Sequence, residues 1–211
     1  MTMNPDFSKA LCKYKNWLLL FPVLLLSFSI QQPEQPVTKI YFRNPSFEGA
    51  PKASSCPVGW HSTIPGSTPD LLPGAWGIEY TPQDGETCIG LVTRFDGSTE
   101  SIAQALAEPL PADVCYSFSV YLAHIEKYVG FDNPTRLRVW GSPSKTEKGK
   151  LLCSSPLINH SDWRSYDFQF ITPGTIRYLT LEAWYGPGTT FKYNGNIVLD
   201  HCSPIEKCAR A

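Results

Sequence analysis

Apolar and polar residues alternate along much of the chain with a period of two, which is the pattern of half-buried β-strands. Residues 114–123 show this most clearly, because Tyr116, Phe118, Val120 and Leu122 alternate with smaller or more polar residues. Residues 98–107 also fit a short helix. Patterns and composition together predict strands over 38–42, 87–95, 100–106, 114–123, 136–140, 163–170, 176–185 and 196–201.

Turn-forming residues separate these strands. Residues 60–82 include Pro65, Pro69 and Pro73 together with several glycines, so most of this stretch is predicted to be loop. The whole chain has 19 Pro, 15 Gly and 13% aromatic residues, which favours many short strands over long helices. About eight to ten antiparallel strands joined by such turns predict an all-β fold, a jelly-roll β-sandwich.

A hydrophobic run stands near the start of the chain. Residues 17–30 carry no charge and follow a lysine-containing segment, a combination typical of a secretory signal peptide. A transmembrane anchor needs about 20 apolar residues, and Pro22 interrupts this run, although an uncleaved N-terminal anchor stays open as an alternative. We predict a signal helix over 1–29, a linker over 30–37 and one domain over 38–211.

The charge balance and the known catalytic motifs narrow the function classes. Lys and Arg total 18 against 19 for Asp and Glu, so the clustered basic excess of a nucleic-acid binder is absent from the sequence. The sequence also lacks a G-x-S-x-G elbow, a Gly-rich phosphate loop and an H-E-x-x-H helix. These observations favour a protein that is neither a nucleic-acid binder nor an enzyme of those classes.

Cysteine usage fits an exported protein. Of seven cysteines, Cys12 lies in the N-terminal segment, and the other six form an even set that is able to make disulfides. For Cys115 and Cys153 the alternative is that both are simply buried thiols. We predict two disulfide pairs, Cys202–Cys208 and Cys56–Cys88.

Short motifs at the two ends of the predicted domain support a family resemblance. An N-x-x-F-E segment occupies residues 44–48, a Gly-Trp pair follows at 59–60, and a Leu-Asp pair closes the last strand at 199–200. This order resembles the galactose-binding-domain-like jelly rolls, especially carbohydrate-binding modules of secreted or surface Bacteroidetes proteins. The resemblance covers about residues 40–205. It implies a protein of a bacterial outer surface, periplasm or secretome, which contacts the membrane only through an uncleaved N-terminal segment.

A structural calcium ion is predicted where the first and last strands of a jelly roll pair. Pairing brings Glu48 and Asp200 together, and two close carboxylates repel each other unless a cation lies between them. Oxygen ligands suit Ca²⁺, and backbone oxygens near Asn44 complete the predicted site. The resemblance implies the same ion. The alternative is that these carboxylates pair with basic residues or cap turns.

Exposed aromatic rings beside polar groups are the predicted ligand site. Sugars stack on aromatic faces while neighbouring polar groups bind their hydroxyls. We predict that Trp76, Tyr80 and Asp70 from the long loop, with Arg138 and Trp140 from the outer side of a strand, bind a polysaccharide or other glycan.

Three alternatives to this ligand site stay open. A loop covers Trp140 while Arg138 pairs with an acid such as Glu182. The module instead binds a cell-surface protein as an adhesion or structural unit. The third and least supported hypothesis is a glycan-active enzyme.

Overall fold

Short strands make up almost all regular structure in the computed structural model, which describes residues 39–64 and 66–209. The predicted signal helix and linker lie outside these residues. No helix in the described part of the chain has the length and apolarity to cross a membrane. One 3-10 helix spans Ala75–Gly77. The strands are β1 (His61–Ser62), β2 (Asp70–Leu72), β3 (Cys88–Thr93), β4 (Ser101–Leu110), β5 (Cys115–Ala123), β6 (Asn133–Pro134), β7 (Arg136–Ser142), β8 (Lys150–Ser154), β9 (Arg164–Ile171), β10 (Ile176–Trp184), β11 (Gly195–Asp200) and β12 (Glu206–Lys207).

The strands form two sheets. The five-stranded sheet has the order β1-β4-β10-β7-β8, and the seven-stranded sheet contains β12-β5-β11-β3-β2 with β6 beside β11 and β9 beside β5. Every pairing of named strands is antiparallel except that of β6 with β11. This architecture confirms the predicted all-β sandwich.

Alternation along the strands decides which side chains form the core. On β5, Tyr116, Phe118, Val120 and Leu122 are all at most 3% exposed, and Leu137 on β7 is fully buried. Burial of each such side chain contributes about 1.5–3 kcal/mol to the stability of the fold. The intervening residues of β7 therefore point away from the core, as the period of two predicts.

The motif at the start of the domain is a structural anchor. Trp60 is 6% exposed and packs against Phe42 and Phe47, with ring centroids 5.7 and 5.1 Å away. Its indole N–H donates to the Asn44 carbonyl at 3.0 Å, while the Asn44 side chain bonds both backbone groups of Glu48. The Gly-Trp and N-x-x-F-E segments therefore stabilise each other.

The structure differs locally from the predictions, and the short strands β1, β2, β6 and β12 are among the elements that were not predicted. The segment that also fitted a helix is strand β4, because it pairs on both sides with β1 and β10. The predicted first strand is reduced, in the described residues, to one bridge between Ile40 and Ile205. Strand β8 was not predicted, since its sequence Lys-Leu-Leu-Cys-Ser lacks alternation and its pairing with β7 alone defines it.

Both predicted disulfide pairs are wrong. The structure joins Cys115 to Cys208, with 5.4 Å between their Cα atoms. Strand β12 pairs with the start of β5, which carries Cys208 back to Cys115 and away from its sequence neighbour Cys202. The free cysteines of the described chain are Cys56, Cys88, Cys153 and Cys202.

We predict that Cys208→Ser lowers the free energy of unfolding by about 4 kcal/mol, because a crosslink over this sequence separation restricts a long loop of the unfolded chain. Urea unfolding without reductant measures the loss. The control Cys56→Ala removes a half-buried free thiol and should cost less than about 1 kcal/mol. Peptide mapping that finds a Cys202–Cys208 crosslink would contradict the assignment.

Candidate ligand-binding face

The outer side of the five-stranded sheet brings aromatic and charged side chains together. Strand register places Arg136 opposite Trp184 and Arg138 opposite Glu182, with Trp140 next along β7. Their neighbours in sequence point into the core, so all five side chains lie on the solvent side of the sheet. We call these five residues the Trp–Arg face.

A buried carboxylate organises this face. Glu182 is fully buried, and it accepts hydrogen bonds from the Trp140 indole N–H at 2.8 Å and from Thr99 Oγ1 at 2.9 Å. Lys148, from the loop between β7 and β8, forms an ion pair with it at 2.6 Å. A buried charge needs such partners, because removal from water is otherwise strongly unfavourable.

This arrangement corrects the predicted alternative of an Arg138–Glu182 pair. The ion-pair partner of Glu182 is Lys148, and Arg138 instead lies over Trp184, with its guanidinium carbon 3.9 Å from the ring centroid. Lys148 also lies over Trp140 at 4.4 Å. Cations above aromatic rings are stabilised by about 0.5–2 kcal/mol each. The two Trp rings are half-buried beneath these cations rather than covered by apolar core.

Several polar nitrogens of this region have no partner. Nε of Arg136, Nε of Arg138 and Nε2 of His61 are inaccessible to solvent and make no hydrogen bond. His61 belongs to β1 and lies edge-on to Tyr178 of β10, with ring centroids 6.4 Å apart. Burial, helped by the positive charge of Lys145, lowers the pKa of His61. A buried nitrogen that donates without a partner costs about 1–3 kcal/mol of stability, so this side of the sheet is locally unfavourable.

A groove adjoins the Trp–Arg face. It has a volume of about 540 Å³ and is lined by Glu182, Trp184, Lys148 and the loop from Arg94 to Thr99. Tyr185, which is 1% exposed, holds that loop by donating its hydroxyl proton to the Arg94 carbonyl at 2.6 Å. The groove is therefore bounded by a fixed wall next to the aromatic rings.

The structure divides the predicted ligand residues between separate places. Trp76 and Asp70 line a second cavity of about 200 Å³, together with Tyr128 and Arg94. Trp76 is 62% exposed and donates its indole N–H to Asp70, which is buried and also accepts from Tyr128. Arg94 borders both cavities and forms an ion pair with Glu100 between them.

Tyr80 lines neither the groove beside the Trp–Arg face nor the cavity at Trp76 and Asp70. Its ring packs edge-on against Trp163 at 5.3 Å, and its hydroxyl donates to the Ser161 carbonyl. Burial raises the pKa of Tyr80 to about 12. Tyr80 therefore holds a loop and lines neither cavity.

The carboxylates of Glu48 and Asp200, which were predicted to bind calcium, both accept hydrogen bonds from backbone amides. Both Glu48 and Asp200 accept hydrogen bonds from backbone N–H groups within the same short loop, Gln83–Thr87. Burial raises the pKa of Asp200 to about 6. The Asn44 side chain donates a hydrogen bond to the Glu48 carbonyl and accepts one from the Glu48 backbone N–H. Within residues 39–64 and 66–209 no three His, Cys, Asp or Glu side chains are grouped to hold a metal.

Backbone N–H groups of one loop are the hydrogen-bond partners of both carboxylates. The structure supports the alternative in which Glu48 and Asp200 cap a turn. The calcium itself stays an untested prediction.

Sequence reasoning missed several residues of the face. Trp184 and Glu182 carried a usable signal, because the alternation of 176–185 places them opposite the buried Leu181 and Ala183. No pattern in the sequence pointed to Lys148, because its position depends on how the loop after β7 folds back over the sheet.

We predict that Lys148→Met lowers the free energy of unfolding by about 1–3 kcal/mol, because it leaves the buried Glu182 charge without its ion-pair partner. Lys150→Met is the matched control on the exposed start of β8, and its effect should stay within about 0.5 kcal/mol. Urea unfolding of both variants provides the comparison. Equal effects would contradict the central role of the Lys148–Glu182 pair.

We predict that EDTA leaves the melting temperature unchanged and that added CaCl₂ does not raise it, because backbone N–H groups already satisfy Glu48 and Asp200. Differential scanning calorimetry with elemental analysis of the purified protein measures both. A lower melting temperature in EDTA, with calcium found in the sample, would restore the metal site.

Comparison with known proteins shows the fold. No protein-family model matches the sequence, and no curated protein matches it. Similar solved structures include Fisc, a Stig cyclase from Fischerella sp. TAU, at a TM-score of 0.54 and 13% identity, covering 83% of this chain and 100% of that one. The MgGH51 α-L-arabinofuranosidase aligns at a TM-score of 0.57 and 10% identity, covering 81% of this chain but 27% of that one.

An adhesin is also among these structures. The K3 adhesin domain of Lys-gingipain from Porphyromonas gingivalis w83 aligns at a TM-score of 0.51 and 12% identity, covering 80% of this chain and 98% of that one. At such identities the likeness concerns the fold alone, and it includes enzymes as well as a binding domain. The chain has the all-β jelly-roll sandwich fold that the sequence predicted.

Proposed function

We propose that this protein is a non-catalytic binding module that holds a polysaccharide against the Trp–Arg face. The observation that carries the proposal is a pair of arginines, Arg136 and Arg138, that lie on the outer side of the sheet among the half-buried rings of Trp140 and Trp184. Glycan hydroxyls are acceptors for such donors, and pyranose C–H groups pack on rings. An open sheet surface also accommodates a chain rather than a single small molecule.

The carboxylates near the face support binding over hydrolysis. A glycosidase of the common type needs two carboxyl groups placed on either side of the scissile bond. Among the residues that line the groove the carboxylates are Glu182 and Asp96. Glu182 is engaged by three donors, and Asp96 bonds the Ser98 backbone in its own loop. Both side chains therefore have structural partners.

Export is part of the proposal. The Cys115–Cys208 disulfide suits an oxidising compartment, since such bonds are rare in reducing cytosol. A secreted or surface-held module would meet polysaccharides there. Cleavage of the predicted signal peptide is a separate expectation, which N-terminal sequencing of the exported protein would test.

Protein adhesion is the second candidate function. The likeness to the adhesin domain of Lys-gingipain favours it, although that likeness concerns the fold. A glycan array separates the two, because a polysaccharide module gives saturable binding to glycans without any protein partner.

We predict that Trp184→Ala weakens binding to the polysaccharide found on the array by at least about tenfold, since it removes an aromatic ring and the support of Arg138. Isothermal titration calorimetry measures the change. The control Tyr41→Ala removes an aromatic ring that is 63% exposed outside the face and should leave affinity unchanged.

Trp76→Ala locates the site independently. If Trp76→Ala abolishes binding and Trp184→Ala does not, the second cavity holds the ligand and the proposed location is wrong. Circular dichroism and thermal melts of each variant confirm that the fold is retained.

A further inference from the structure

The surroundings of the Trp–Arg face carry an excess of positive charge. Arg136 and Arg138 lie on it, Lys148 crosses it, and Lys192 lies 5.6 Å from the Trp184 ring. The carboxylate among them, Glu182, is already neutralised by its ion pair with Lys148. The whole chain has a formal net charge of −1, so this concentration of cations is local.

The two arginines lack anionic partners. Neither Arg136 nor Arg138 forms an ion pair in the described chain, whereas Arg94 and Arg164 do. Burial lowers the pKa of Arg138, and the neighbouring positive charge of Arg136 adds to the effect, while the negative charge of Glu182 opposes it. An anion placed between the two guanidinium groups would relieve their repulsion.

The geometry of Arg138 suits a fixed anion site. Its guanidinium plane is held over Trp184, which limits its conformations before any ligand arrives. Guanidinium groups form two parallel hydrogen bonds with a carboxylate or a sulfate, which a sugar hydroxyl does not provide. Because the donor is preorganised, less conformational entropy is lost on binding.

We propose that the Trp–Arg face binds an anionic polysaccharide, whose carboxylate or sulfate groups are held by Arg136 and Arg138. This inference rests on the proposed binding function and specifies its ligand class. The uncharged parts of each sugar contact the exposed parts of the Trp140 and Trp184 side chains, which are half-buried.

A polysaccharide fits the face better than a nucleic acid. Single-stranded nucleic acids are bound by open aromatic platforms and a basic groove that follows the backbone. Here Arg138 and Lys148 lie over the aromatic rings, and Asp96 and Glu182 line the adjoining groove. Stacking of bases would require both cations to leave the rings, whereas binding of a carboxylate or sulfate group leaves them in place.

Matched polymers that differ only in charge test the proposal. Calorimetry with the full chain compares homogalacturonan with its fully methyl-esterified form, and dextran sulfate with dextran, which distinguishes carboxylate from sulfate. The charged member of at least one pair should bind at least about tenfold more tightly. The Arg136→Gln and Arg138→Gln variants should each remove most of that preference, while Arg164→Gln, an exposed arginine of the other sheet, should keep it.

The ratio of the affinity for the charged polymer to the affinity for its neutral counterpart separates the outcomes. If a neutral polymer binds through Trp184 with no gain from charge, the proposed function stands and this inference fails. If the gain survives both arginine variants, or if oligodeoxythymidylate binds as tightly, the face is not an anionic-polysaccharide site. If no polymer binds, both proposals fail. Thermal melts of each variant ensure that loss of binding is not loss of fold.

Discussion

The buried carboxylate of Glu182 is the interaction on which the candidate site depends. It lies at the solvent-side surface of a sheet, yet it is fully buried because Trp140, Thr99 and Lys148 surround it. Trp140 comes from strand β7, Thr99 from the loop between β3 and β4, and Lys148 from the loop after β7. One charge thus ties three segments together, since a buried carboxylate without donors would be strongly unfavourable.

The positions of the cations on the face depend on that arrangement. Lys148, drawn to Glu182, lies over the Trp140 ring, and Arg138, left without an acid, lies over Trp184. Their positive charge is therefore only partly compensated within the protein. A face of this kind is stable in the free protein and keeps cationic groups without anionic partners, which is what the proposed binding of a ligand requires.

The ends of the domain are held by different means. Trp60 packs between Phe42 and Phe47 and bonds Asn44, while the Cys115–Cys208 bond fixes the last strand to β5. Glu48 and Asp200 hold the loop between them through its amide groups. The residues that carried the family resemblance are thus mainly structural, which explains why they indicate the fold more firmly than the ligand.

The sequence by itself determined the all-β fold and, in the strands with clear alternation, which side chains point into the core and which to the surface. A period of two is a local property, so Leu137 and Val139 could be assigned to the core and Arg138 and Trp140 to the surface without knowledge of their neighbours. Only the tertiary structure decided which surface residues meet. Cys208 reaches Cys115 through strand pairing, Lys148 reaches Glu182 through a folded loop, and Trp76 lines a cavity that Trp140 does not border. Contacts between segments far apart in the chain depend on sheet order and loop paths, and those arise from the packing of the whole domain rather than from any local pattern.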